Sequence, residues 1–329
     1  MTTTLPRARP QLLLGLLLLA GACALPRIGL AQATYPSKAV KFVNNFPPGG
    51  PSDILARGVA EYMQSVHKHA FIVDNKPGAG GNVGAEVVAK SAADGYTVLF
   101  GIDTAFTVNP HIYKTMPFKP GDLKPVMIMA SSGLLIGTHP SVGVKTVNEL
   151  VELGRKRPLN FSSGGNGSPG HLAVAVINEV TGLKISHIPY KGNTPAVTAV
   201  LAGEVDAGVL ATPGMLPHVK AGKITALAVT SRQRSALAPE VPTVAEAGLP
   251  ALQQEVLYLA MVPAATPEPV VQLLQRGFAE ALARPEFQAR LKQLDMFHEG
   301  LTGNAASKRL SELSERYQRV IAKTDMKPE

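Results

Sequence analysis

Residues 159–176, LNFSSGGNGSPGHLAVAV, join a short apolar run to four glycines, Gly164, Gly165, Gly167 and Gly170, and then to an amphipathic pattern that begins near His171. That order reads as strand, glycine turn, helix start. Such a turn points bare backbone N–H groups outward, and the helix N-terminus adds the positive end of its dipole. The glycines let a ligand approach the main chain, so the junction favours an anion such as a carboxylate or phosphate. Similar junctions recur at Phe46-Pro47-Pro48-Gly49-Gly50 and Pro77-Gly78-Ala79-Gly80-Gly81.

Around these turns, strand patterns alternate with helix patterns at close spacing. Residues 41–46, 71–75 and 96–101 read as strands, separated by a helix over 53–66 and a second helix that runs from the Gly78–Gly84 turn through Lys90; a third helix follows Asn109-Pro110. The near-continuous apolar run 126–137 suits a segment passing between lobes. The rhythm then restarts with a helix at 147–157, a strand at 159–162, a helix from His171, strands at 185–190 and 205–210, and a helix at 195–202 between them. Residues 224–230 and 255–262 are expected as return strands, and 267–323 as helical, with Pro285 opening a new helix. This predicts parallel strands with right-handed crossovers. A chain of this length is expected to form two lobes rather than one, 34–130 with 250–329 and 131–249. If each lobe has strand order 2-1-3, its ligand crevice lies beyond the first and third strands. The turns at Pro47–Gly50 and 102–107 then face the cleft, while the turn at Gly78–Gly81 lies one strand away and is mainly structural.

The first residues carry Arg7 and Arg9, an apolar core over 12–20, and small residues ending in Ala31-Gln32-Ala33. Residues 1–33 therefore read as a cleaved secretory signal peptide. Its apolar core is far short of the roughly 20 residues that span a bilayer. A lipid anchor at Cys23, within Ala20-Gly21-Ala22-Cys23, is the alternative route. Cys23 is the single cysteine, so cleavage after Ala33 leaves neither a disulfide nor a thiolate ligand. The net charge of +8 includes Arg7, Arg9 and Arg27, which leaves +5 in the mature part. The remaining basic residues are scattered, without the dense runs or aromatic interleaving of a nucleic-acid surface.

With these residues in view, the chain resembles the extracytoplasmic solute receptors of tripartite tricarboxylate transporters, the Bug-type periplasmic binding proteins. The resemblance rests on Phe46-Pro47-Pro48-Gly49-Gly50 with Asp53 following, Pro77-Gly78-Ala79-Gly80-Gly81-Asn82, Asp94-Gly95-Tyr96, Asn109-Pro110, Gly165-Asn166-Gly167-Ser168 with His171, Pro189-Tyr190-Lys191-Gly192, the run 226–231 and the run 241–248. It implies a type II periplasmic binding protein fold, two doubly wound α/β lobes around a ligand cleft. It also implies a periplasmic, monomeric receptor that captures a small organic carboxylate and delivers it to inner-membrane transporter subunits. No cofactor, metal or catalytic residue is implied. The family's ligand loops carry over onto Phe46, Pro48, Gly49 and Gly50, onto Asp103, Thr104 and Phe106, onto Ser163, Gly165, Asn166, Gly167 and Ser168, and onto Tyr190, Lys191 and Ala211. Ala105-Phe106 and Ala211 stand where family members commonly offer polar groups, which points to a carboxylate with a flat or apolar body.

Rival chemistries find less support. Gly165–Gly170 fits the G-x-G-x-x-G dinucleotide pattern, but no acid closes the next strand to take ribose hydroxyls. Ser168 lacks the G-x-S-x-G elbow. A secreted α/β enzyme acting on a small carboxylic acid or ester, built from Ser168, His171 or Asp103, is the alternative from another class. His67-Lys68-His69 has no third metal ligand in view and reads as a solvated helix end. Asp53 reads as a first-turn acid that fixes its loop. Asp103 either binds a ligand amino group or points to solvent. Lys191 is a cleft cation or a solvated side chain, and Phe106 and Tyr190 are read as pocket walls, with ordinary packing as the alternative.

Overall fold

The computed structural model describes residues 1–4, 35–324 and 326. Residues 5–34, with the expected leader, its cleavage point at Ala33 and the alternative anchor Cys23, lie outside the described residues. The chain divides into two compact units, Met1–Ser37 and Lys38–Glu329. The first carries no helix or strand among its described residues.

In the second unit, β1 (Val40–Asn44), α1 (Pro51–His67), β2 (Phe71–Asn75), α2 (Asn82–Ala89) and β3 (Thr97–Ile102) come first. Two single-turn helices, α3 (Thr104–Thr107) and α4 (Asn109–Ile112), lead to β4 (Leu123–Ser132) and β5 (Leu134–Thr138). Next come α5 (Val147–Lys156), β6 (Asn160–Ser163), α6 (Pro169–Thr181), β7 (Ser186–Pro189), α7 (Asn193–Ala202), β8 (Ala207–Ala211), α8 (Thr212–Lys220) and β9 (Thr225–Val229). The chain continues through β10 (Val256–Pro263), α9 (Glu268–Ala283), α10 (Pro285–Gln293), β11 (Phe297–Leu301) and α11 (Gly303–Ile321).

These strands build two sheets, ordered β11-β4-β10-β3-β1-β2 and β7-β6-β8-β5-β9. In the first, β1 runs parallel to β2 and β3, and β10 lies antiparallel beside β3. In the second, β6 runs parallel to β7 and β8, and β5 lies antiparallel beside β8. Both sheets therefore contain the 2-1-3 order, and in each the first strand of the strand-order switch leads into a glycine turn. The chain crosses from one sheet to the other at Gly133, where a β-carbon would come within 2.7 Å of Ser231. Thr230 clamps the crossing segments: its Oγ1 accepts from Leu134 N at 2.8 Å and donates to the Gln254 carbonyl at 2.8 Å.

Helix α1 shows how sequence sets these turns. Pro51 fits the first helical turn, whose N–H needs no intrahelical partner. Leu55, Ala56, Val59 and Met63 recur at helical spacing and are buried. The helix ends at Lys68, which adopts a left-handed conformation and donates its N–H to the Gln64 carbonyl. Under the first sheet, Phe42 stacks on Phe100 with centroids 4.3 Å apart, and both meet Phe278 of α9 edge-on. Burying each ring contributes about 1.5–3 kcal/mol.

Three elements depart from expectation. The helical tail is interrupted by β11, whose Phe-His-Glu-Gly-Leu has no strand alternation; its edge pairing with β4 is irregular and is imposed by the partner strand. Helix α8 carries Pro213 and Pro217, which mask it in sequence, yet the first sits in its opening turn. The expected 102–107 turn is helical at α3, only four residues long.

Candidate functional site

A cavity of about 370 Å3 opens where the carboxyl ends of β3 and β8 face one another, within the range of small-molecule sites. Its wall includes the first turns of α1 (Pro51, Ser52), α6 (Pro169, Gly170) and α7 (Asn193, Thr194, Pro195), and the residue that caps α8, Ala211. First-turn N–H groups have no intrahelical partner. At α1 and α7 no side chain caps them either. Several positive dipole ends and spare donors thus meet at one cavity, an arrangement suited to an anion.

Among the described residues the lining includes no Asp or Glu, and Lys191 is its single charged side chain. Apart from Ser52, Ser168, Asn193, Thr194 and Tyr258, the other side chains are apolar or absent. Tyr258 is buried, its hydroxyl 3.1 Å from Ser132 Oγ, and burial pushes its ionisation up to about 12. Asn193 Oδ1 accepts the Ala211 N–H at 2.9 Å and so ties the α7 start to the end of β8.

The α1 turn is held by Asp53, which accepts from Gly49 N at 3.0 Å, Arg57 Nε at 2.9 Å and Asn75 Nδ2 at 2.9 Å. Burial pushes this carboxyl up, but these bonds outweigh burial and hold it below the usual range. The α6 turn is held by Ser168, whose Oγ accepts from His171 N at 3.3 Å, and by His171 Nδ1, which accepts from Gly167 N at 3.2 Å. Behind the turn, Ser163 Oγ accepts from Gly165 N at 3.2 Å and lies 2.5 Å from His187 Nε2. The His171 and His187 rings stack at 3.9 Å, and burial lowers them to about 4 and about 3.

Of the residues expected at a site, Phe46, Pro48, Gly50, Ser168, Lys191 and Ala211 line the cavity. Gly49, Thr104, Ser163, Gly165, Asn166 and Gly167 stand outside its lining and act on the turns: Gly49 binds Asp53, Thr104 Oγ1 donates to the Gly80 carbonyl at 3.3 Å, and Ser163 holds Gly165. Phe106 is not a cavity wall; it is buried against Phe118 with centroids 5.9 Å apart and borders a separate surface depression. Tyr190 also stands outside the lining, packed against the second core and directed at Glu204. Asp103 stands outside the cavity lining and does not point to solvent. It is buried and accepts from Leu257 N at 2.9 Å and Thr107 Oγ1 at 2.8 Å, and burial pushes it up to about 6.

The turn at Gly78–Gly81 is not remote from the other half, as its place beside β2 had suggested. A β-carbon on Gly167 would lie 2.9 Å from Asn109 Oδ1 and 3.8 Å from Gly80 Cα. Ser168, His171 and Asp103 do not form a relay. Ser168 Oγ receives the main-chain N–H of His171 rather than its ring, and Asp103 is committed to Leu257 and Thr107.

Sequence reading missed Ser52, Leu134, Asn193, Thr194, Val256 and Tyr258 as lining residues, whereas Ile102 belongs to the 102–107 turn expected at the cleft. The run Gly192-Asn193-Thr194-Pro195 did carry a helix-start signal. Val256 and Tyr258 carried none, because an antiparallel strand brings its beginning, not its end, to the crevice.

Two doubly wound α/β halves, joined by crossing strands and enclosing an anion-suited cavity, are the architecture of a periplasmic binding protein. The structure of periplasmic binding protein BugD matches with a TM-score of 0.81 and 29% identity, covering 90% of this chain and 100% of BugD. Rpa4515 of R. palustris, solved with adipate, gives 0.84 and 30% identity, covering 90% of this chain and 100% of that one. In sequence, protein BugT of Bordetella pertussis is 36% identical over 253 residues, 76% of this chain and 78% of BugT. The family model for the tripartite tricarboxylate transporter family receptor matches residues 55–326, and the chain belongs to that family.

Proposed function

We propose that this protein is the periplasmic solute receptor of a tripartite tricarboxylate transporter: it captures a small carboxylate and presents it to inner-membrane transporter subunits. The observation that carries the reading is the convergence of helix starts from both sheets on one cavity whose lining has Lys191 but no acid. The adipate in Rpa4515 supports the ligand class. The receptor acts as a monomer, exported by cleavage after Ala33, and its mature chain is free of cysteine.

The two sheets belong to two lobes, 34–130 with 250–329 and 131–249, which close over the ligand about the Gly133 crossing. Main-chain N–H groups of the turns at Gly50–Ser52, Gly164–Gly170 and Gly192–Thr194 take the carboxylate, with Lys191 as counter-ion. Of the residues expected to bind ligand, Phe46, Pro48, Gly50, Ser168, Lys191 and Ala211 touch it, and the other turn residues hold these in place.

Binding to the folded state stabilises it by about 2.7 kcal/mol at a hundredfold excess over Kd. A thermal-shift screen of the mature protein against mono-, di- and tricarboxylates, with small-angle scattering to follow lobe closure, tests the reading. A carboxylate that raises the melting temperature and compacts the protein is the expected result. No shift with any carboxylate would refute it. Intact mass of the exported form tests processing, and a diacylated Cys23 would show the lipoprotein route instead.

A further inference from the structure

Resting on the receptor reading of this cavity, we infer that the ligand is a monocarboxylate with a flat or extended apolar body, aromatic or medium-chain, and not citrate, a short dicarboxylate or an amino acid. The lining combines two chemistries. One is formed by the helix starts and Lys191. The other, at the strand ends, is formed by Ile102, Leu134, Val209, Leu210 and Val256 with the ring of Tyr258.

The sheets dictate this apolar floor. Tyr258 is the cross-strand partner of Ile102 in the first sheet, and Leu134 is that of Ala211 in the second. Val256 and Tyr258 are two residues apart on one strand and share a face. The one polar group on this floor is the Tyr258 hydroxyl, which already lies 3.1 Å from Ser132 Oγ. A second carboxylate laid on this floor would lose its water without gaining a partner. An apolar body there gains burial instead, and a flat ring can meet the Tyr258 ring.

The same lining rejects an α-ammonium group. No carboxylate faces the cavity; Asp53 is engaged by Gly49, Arg57 and Asn75, and Asp103 by Leu257 and Thr107. A zwitterionic amino acid would therefore bury its cation unpaired.

Calorimetry with matched pairs decides the matter: hexanoate against adipate and benzoate against terephthalate, with succinate, citrate and glutamate alongside. Hexanoate or benzoate is expected to bind at least about tenfold tighter than its dicarboxylate counterpart and than the other three acids. Equal or tighter binding of adipate, citrate or glutamate would overturn the inference while leaving the receptor reading intact. Silence from every acid would overturn both. The variant Ile102→Gln places a donor on the floor and should narrow the gap between hexanoate and adipate. An unchanged gap in a folded Ile102→Gln protein would also count against an apolar floor.

Discussion

Gly167 of the turn before α6 and Asn109 of α4 meet so closely that a β-carbon on Gly167 would lie 2.9 Å from Asn109 Oδ1. Asn109 is buried, and its Nδ2 donates to Asn82 Oδ1 at 2.7 Å and to the Gly80 carbonyl at 3.1 Å. Its Oδ1 has no hydrogen-bond partner among the described residues and faces the α6 turn. The glycine turn of one half therefore abuts an asparagine pair of the other.

Gly167→Ala should weaken ligand binding at least about tenfold, because the added methyl meets Asn109 and the φ of +74° costs a side chain roughly 1–2 kcal/mol. Asn82→Ala removes one of the acceptors of Asn109 Nδ2 and should cost about 1–3 kcal/mol of stability. It should weaken binding as well, though less than Gly167→Ala. Calorimetry on both folded variants tests this, and wild-type affinity in Gly167→Ala would rule out close apposition of the lobes at this point.

The role of Asn82 was not legible in the sequence. Strand order predicts that the turn after β2 stands one strand from the crevice, and in the sheet it does. The turn still reaches the opposite half because Asn109, placed by the short helix α4, bridges to it. Glycine turns and strand alternation did reveal both doubly wound units, since each signal is local. The lining contributed by Val256, Tyr258 and Leu134 depends on strands paired over long separations, so no local pattern marks it. Phe106 lies outside this cavity for a similar reason: α3 turns it away and onto Phe118.

Lys191 supplies the lining's one cation. Lys191→Gln should lower carboxylate affinity by roughly tenfold, and Lys191→Glu by roughly a hundredfold, since an exposed charge is partly screened. Folding should be unchanged, because Lys191 is exposed. Titrations at low and high salt check this: the wild type should lose affinity with salt, and Lys191→Gln should lose less.

Asp103 predicts an inverted pH dependence. Its carboxyl moves from 3.8 to about 6 on folding, chiefly through burial, which corresponds to roughly 3 kcal/mol. The native state therefore holds this proton longer than the unfolded chain. The contribution is fully present below about pH 3.8 and is lost as pH rises through 6. Asp103→Asn keeps an acceptor for Leu257 N and remains neutral. Urea unfolding at pH 5 and pH 7.5 should show the variant gaining stability relative to wild type at the higher pH. An identical difference at both values would show that Asp103 does not titrate in this range.

The stacked histidines predict the opposite trend in acid. Burial lowers His171 to about 4 and His187 to about 3, and the His171 ring further disfavours charge on His187. Folded values below the unfolded 6.5 mean that their contribution is fully present above pH 6.5. It is lost as pH falls through about 4 and then about 3. On the order of 2 kcal/mol or more is at stake for each ring. Acid should reach ligand binding through the same atoms. A proton on His171 Nδ1 removes the acceptor for Gly167 N, and charge on His187 disturbs its 2.5 Å contact with Ser163, which holds Gly165. His171→Phe keeps a ring to stack but cannot titrate. It should bind ligand more weakly than wild type at pH 7.5, because Gly167 N loses its partner, and should lose less stability and less affinity between pH 7.5 and pH 4.5. Unfolding and calorimetry at both pH values test the pair. A variant as acid-sensitive as wild type in both measurements would place the acid response outside this stack.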